Sequence, residues 1–168
     1  MKGEVMENPW EKRMDVVFDV DGTLMNIEHR VKYARKDSPD YDYEKFESEI
    51  VNDTPNIEIF AVAHALREQG HTIIIASGRK AMWAFDTLKM LDEYYVWCEH
   101  FLRRGSRDAH YFRKDGDNRK DSIVKEEMYE QMLEDGYDPK LVFDDRQQVV
   151  DMWRSKGIRV CQVDVGNF

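Results

Sequence analysis

Five short apolar runs, separated by longer stretches of helical period, set the frame for this chain: Met14 to Val20 (MDVVFDV), Thr72 to Ala76 (TIIIA), Ala109 to Phe112, Leu141 to Phe143 and Ile158 to Val163. The first two are unbroken and rich in β-branched residues, the pattern of strands covered on both faces. Helices are predicted between them. One starts with Thr54 as N-cap and Pro55 in the first turn, places Ile59, Val62, Ala63 and Leu66 on one face, and stops at Gly70. Others run from Ala81 to Leu91, from Asp121 as cap to about Glu134, and from Val149 to Lys156 before Gly157. Strands alternating with helices imply an α/β fold: a Rossmann-like three-layer sandwich with a central parallel sheet. Ligands of such sheets bind outside the carboxyl ends of the strands. The stretch from about 25 to 53 is polar and too long for an ordinary connection, so a lid or small insert is expected there. Asp92 to Arg107 shows no clear period.

A chain of 168 residues, 42% hydrophobic and 35% charged, fits one domain over 1–168 with a core of its own. No apolar run reaches the roughly 20 residues of a membrane span, and the first residues carry no apolar signal core, so a cytoplasmic protein without membrane contact is expected. Asp and Glu number 34 against 25 Lys and Arg, a formal charge of −9, which disfavours coating a long nucleic-acid duplex but not gripping a strand end. Cys98 and Cys161 have no metal-ligand spacing and read as two buried thiols, and the five histidines take no role.

Four polar clusters follow the strand runs. Asp19-Val20-Asp21-Gly22-Thr23 ends the first; one carboxylate as nucleophile and one as acid/base suits phosphoryl transfer, and a pair of turn-forming aspartates fits the same spacing. Ser77-Gly78-Arg79 ends the second and offers a hydroxyl, an amide and a guanidinium to a phosphoryl oxygen, or simply a turn with Ser77 as N-cap. Asp121 and Lys125 share a helix face, so the carboxylate can aim the ammonium; Lys120 is the alternative cation, and a surface ion pair the plainer reading. Asp144-Asp145, followed by Arg146, can hold Mg²⁺ through hard oxygens or cap a helix.

In this order, D-x-D-G-T, S-G-R, the lysine and D-D resemble the signature motifs of the haloacid dehalogenase-like phosphatases, over roughly Val16 to Val163. Within them the stretches VFDVDGTL, IIIASGR, GDNRKDSIVKEE and LVFDDRQQVVDMWRSKGIRVCQV resemble the 3′-phosphatase domain of phage-type polynucleotide kinase-phosphatases. The resemblance implies Asp19 as nucleophile forming an aspartyl-phosphate and Asp21 as acid and then base. It implies Ser77 and Lys125 on the phosphoryl group, and Arg30, Arg79 and Asp121 in substrate binding. It also implies Mg²⁺ on Asp19, the backbone carbonyl of Asp21, and Asp144, with Asp145 nearby. The implied substrate is the 3′ end of a nucleic acid, in end repair. A nucleotide phosphatase of the same fold, acting on 5′- or 3′-mononucleotides, and a non-catalytic domain binding repair partners are the alternatives. The chain contains no G-x-x-x-x-G-K-[ST] loop, so no kinase activity is expected of it, and a separate kinase or ligase is the implied partner. The sequence assigns no oligomeric state. Tyr33, Tyr41, Tyr43 and Phe46 can stack on bases or pack the lid. Arg103, Arg104, Arg107, Arg113, Lys114 and Arg119 can track a phosphate backbone or form a solvated face.

Overall fold

The computed structural model describes residues 12–94 and 107–166. Its centre is a five-stranded parallel sheet of β1 (Asp15–Phe18), β4 (Thr72–Lys80), β5 (Ala109–Arg113), β6 (Pro139–Asp144) and β7 (Arg159–Gln162), in the order β5-β4-β1-β6-β7. Two short strands, β2 (Met25–Asn26) and β3 (Thr54–Pro55), pair antiparallel beside it.

Successive side chains of a strand point to opposite faces, and the core divides accordingly. Val16, Phe18, Ile73 and Ile75 pack on one face with Phe60 and Ala63 of α3 (Ile57–Glu68) and Leu91 of α4 (Ala84–Tyr94). Val17, Ile74, Ala76 and Val142 pack on the other with Val124, Met128 and Met132 of α5 (Asp121–Glu134) and Val149, Met152 and Trp153 of α6 (Gln147–Ser155). The expected three layers are therefore present. Among the described residues no helix is long and apolar enough to cross a membrane.

The polar stretch after β2 folds as an insert of two short helices, α1 (Glu28–Ala34) and α2 (Tyr43–Ser48), and a 3₁₀ turn over Glu49–Asn52, before β3 returns the chain to α3. Phe46 and Ile50 anchor it, both buried.

Several local expectations need correction. Thr54 and Pro55 do not start a helix: they pair with Asn26 and Met25, and Asn56 N donates to Leu24 O (2.8 Å), so the helix begins only at Ile57. Val62 is 39% exposed, because the buried face of α3 runs through Phe60 and Ala63. Ser77 to Lys80 continue β4 rather than turning out of it, and α4 follows a 3₁₀ turn at Ala81–Trp83. Lys120, not Asp121, is the N-cap residue of α5. Cys161 is exposed rather than buried, and Cys98 lies outside the described residues.

Candidate active site

The site sits at the carboxyl edge of the sheet, where β1, β4 and β6 end. Asp19 leaves β1 with its amide donating to Phe143 O (3.0 Å) of β6, which holds the two strand ends side by side. Gly22, with φ of 79°, then turns the chain; a Cβ there would lie 2.3 Å from an oxygen of Asp145, so this position needs glycine on both counts. The turn closes with Met25 N donating to Val20 O (2.8 Å).

Asp19, Asp144 and Asp145 are all buried, and one oxygen from each lies within 4.8 Å of the others. Lys125, 2% exposed on α5, donates from Nζ to Asp19 Oδ1 (2.6 Å) and Asp144 Oδ2 (2.8 Å). Burial works to strip its proton, and Asp144 and Asp19 together outweigh it and hold the ammonium charged. Burial, then the neighbouring carboxylates Asp144 and Asp145, push Asp19 well above the usual carboxylate range against the pull of Lys125. Asp145 is pushed up to about 7 by burial and Asp144, and its Oδ1 is a buried oxygen with no hydrogen-bond partner among the described residues. Three converging carboxylates, one of which carries an oxygen without a partner among the described residues, against a single ammonium make a donor set that fits a divalent cation.

A second cluster adjoins the first. Asp21 Oδ1 accepts from Arg30 Nη2 (2.7 Å), Arg79 Nε (2.8 Å) and Arg79 Nη2 (2.5 Å). Asp53 closes the ring: its Oδ1 accepts from Arg30 Nε (2.7 Å), its Oδ2 from Arg30 Nη2 (2.9 Å) and from Arg79 Nη2. Arg30 is fully buried, its guanidinium 4.3 Å from the centre of the Phe46 ring. Burial raises Asp21, but Arg79 and Arg30 overcome it and hold the carboxyl below its ordinary value. Asp53 ends above its ordinary value because burial outweighs the same two guanidiniums.

A cleft of ≈ 140 Å³ opens over both clusters. Asp19, Asp21, Arg30, Arg79, Asp121 and Lys125 all line it, as do Tyr43 and Phe46 of the insert. Of the residues singled out in the sequence, Ser77 does not reach the cleft wall; it is fully buried and its Oγ accepts from Arg79 N (3.2 Å), orienting the strand end. Asp121 does not touch Lys125: its carboxylate is held between Arg113 Nη2 and Arg146 Nη1. Lys120 is exposed and takes no part.

The run of basic residues from 103 to 119 is not one surface. Arg103 and Arg104 lie outside the described residues. Arg113 is buried and donates to Gly78 O (2.8 Å) and Arg119 O (2.8 Å), Arg107 precedes the opposite end of β5, and Arg119 is paired with Asp117 and Glu127. Of the aromatics, Phe46 is core, Tyr33 packs against the core with Lys45 4.4 Å over its ring, and Tyr41 and Tyr43 are exposed. Sequence reasoning missed Asp53, and it named Arg113 and Arg146 without their pairing to Asp121. Asp53 had no signal of its own: it sits in a polar stretch, and only the fold carries it under Arg79.

Residues 13–168 match the family model described as the polynucleotide kinase PNKP phosphatase domain. Among solved structures, the chain is similar to one from the Pnkp1/Rnl/Hen1 RNA repair complex, at 29% identity and a TM-score of 0.71, over 93% of this chain and 44% of that one. A second structure of the Pnkp1/Rnl/Hen1 complex gives 28% identity and 0.68, over 94% and 48%. The chain therefore spans just under half the length of those chains. A hydrolase from Streptococcus pneumoniae TIGR4 is alike in fold alone, at 16% identity and a TM-score of 0.56, over 90% and 92% of the two chains.

Proposed function

The chain belongs to the phosphatase-domain family of the polynucleotide kinase PNKP, a haloacid dehalogenase-like family, and from that premise we propose that it removes 3′-phosphates from polynucleotide ends. The observation that carries the reading is Asp19 itself, a buried carboxylate at the end of β1, bound by Lys125 and open to a cleft lined with guanidinium groups.

Asp19 attacks phosphorus through a carboxylate oxygen, and the bond to the 3′-oxygen breaks as Asp21 gives that oxygen its proton. An aspartyl-phosphate remains on Asp19. Asp21 then takes a proton from water, the water oxygen attacks phosphorus, and inorganic phosphate leaves with the Asp19 carboxylate restored. Asp21 must hold a proton when the leaving oxygen departs, yet Arg79 and Arg30 keep it ionised while the cleft is free of phosphate. A phosphoryl dianion draws the same guanidiniums onto its own oxygens and so loosens their hold on Asp21. Lys125 keeps Asp19 oriented and offsets charge during attack, while Ser77 and Asp121 hold Arg79 and Arg146 in place. Asp19, Asp144 and Asp145, with the backbone carbonyl of Asp21, would hold Mg²⁺. When bound, the ion neutralises charge on the phosphoryl group and polarises it.

The likeness to a chain of an RNA repair complex supports nucleic-acid end repair, beside a separate kinase or ligase. The lack of a continuous basic track among the described residues favours a second reading, a phosphatase of mononucleotides. Phosphate release from a 3′-phosphorylated oligonucleotide, its 5′-phosphorylated counterpart and 3′- and 5′-mononucleotides separates the two. Turnover is expected on the 3′-phosphorylated strand and to vanish in EDTA. Equal or faster turnover of mononucleotides would move the function to nucleotide metabolism.

A further inference from the structure

Three aromatic side chains line the cleft among its charged groups: the buried Phe46 and the more exposed Tyr43 from α2, and Trp83 from the 3₁₀ turn that follows β4. The Trp83 Nε1 is screened from water and has no hydrogen-bond partner among the described residues. The Trp153 Nε1 in the core shares that state; what sets Trp83 apart is that its side chain borders the cleft. Tyr43, in the insert, is 44% exposed. Met82 and Phe85, which flank Trp83 in the chain, stand 62% and 76% exposed and three residues apart. In a helical turn that spacing makes them neighbours on one face. The platform that carries them is held in place: Met82 N donates to Asp115 Oδ1 (2.9 Å), and Arg79 Nη1 to Thr87 Oγ1 (3.0 Å) on α4.

Among the described residues a charge-based path for a strand is poorly developed. Arg30, Arg79, Lys125, Arg113 and Arg146 are each committed to carboxylates, and the whole chain carries −9. Stacking on aromatic faces needs no net charge and tolerates every base.

We propose that Tyr43 and Trp83 receive the nucleoside bearing the terminal phosphate and that Met82 and Phe85 stack the next base, so that the ligand is a single-stranded 3′ end of any sequence. This rests on the phosphatase reading above and gives it a strand path. Trp83 and Phe85 each supply a ring face.

The test is phosphate release from a 3′-phosphorylated hexanucleotide, a 3′-mononucleotide and phenyl phosphate by the wild type, Trp83→Ala, Trp83→Phe and Phe85→Ser. The hexanucleotide-to-phenyl phosphate ratio of kcat/KM is expected to fall about tenfold in Trp83→Ala and Phe85→Ser, through KM, and to be largely retained in Trp83→Phe. In the wild type that ratio should hardly change between about 50 and 200 mM salt, where a phosphate-tracking surface would lose most of it. Phe85 is a surface residue, so its variant folds even where a Trp83→Ala protein does not. A wild-type ratio in both variants, or parity between hexanucleotide and mononucleotide, overturns the stacking path and leaves the phosphatase chemistry standing. Hydrolysis of phenyl phosphate alone by the wild type overturns the stacking path together with the polynucleotide reading it rests on, and leaves only a phosphatase of small esters.

Discussion

Asp19, Lys125, Asp144 and Asp145 come from the ends of β1 and β6 and the first turns of α5, all elements of the layered core, whereas Arg30 and Asp53 reach Asp21 and Arg79 from either end of the insert. The first cluster sets three carboxylates against one ammonium, and the second sets two against two guanidiniums. The first is short of positive charge and so invites a cation. The second is closed on itself until a phosphate competes for its arginines. An open charge imbalance and a closed ion-pair ring thus adjoin on one cleft.

Asp19→Asn is the hardest break. Turnover should fall by more than about a thousandfold, because a neutral amide replaces the carboxylate proposed to attack. In EDTA its Tm should match or exceed that of the wild type, since the change removes one of three crowded negative charges while Lys125 keeps Asp144. A large loss of stability with activity retained would reverse the roles assigned to this cluster.

Asp53→Asn tests the other side. Arg30 and Arg79 would be left to share Asp21, each with a buried guanidinium short of charge. Stability is expected to drop by about 3 kcal/mol and kcat by about a hundredfold, with the insert the first part to lose amide protection. An unchanged Tm in thermal melts would show that the second cluster holds nothing together.

A smaller effect sharpens the contrast through pH. Burial and Asp144 push Asp145 up to about 7, and Asp19 is raised in the same sense. Between the ordinary carboxylate range and that pH the folded protein, free of metal, binds more protons than the unfolded chain, so its stability falls as pH rises. Asp21 behaves oppositely: its lowered pKa contributes stability above about pH 4 that disappears as the pH falls further. Melts in EDTA should therefore lose Tm from pH 5 to pH 8, and added Mg²⁺ should abolish the slope by holding the carboxylates ionised. A Tm that climbs with pH in EDTA would remove the cation-hungry reading of the first cluster.

Much of this could be read from the chain. Periodicity alone placed the five central strands, because buried parallel strands leave unbroken β-branched runs such as Ile73-Ile74-Ile75. Polar residues at the ends of those runs marked Asp19 and Asp144. Boundaries failed where a tertiary bond overrides local preference: Thr54-Pro55 has the chemistry of a helix start and is recruited instead as a strand against Met25. Arg113 looked like part of a solvent-facing run and is an internal brace, because three backbone carbonyls converge on its guanidinium.

The sequence by itself determined the layered sheet, the edge where chemistry collects, and the residue types that gather there, since each follows from local periodicity and from which side chains a strand end can present. Only the tertiary structure decided which charge meets which. Lys125 turns to Asp19 and Asp144 rather than to Asp121, Asp121 goes to Arg113 and Arg146, and Asp53 comes from 32 residues beyond Asp21 to complete its ring. Such pairings are settled by burial, because a charge removed from water is tolerable only beside the partner that packing delivers, and no spacing along the chain records that partner.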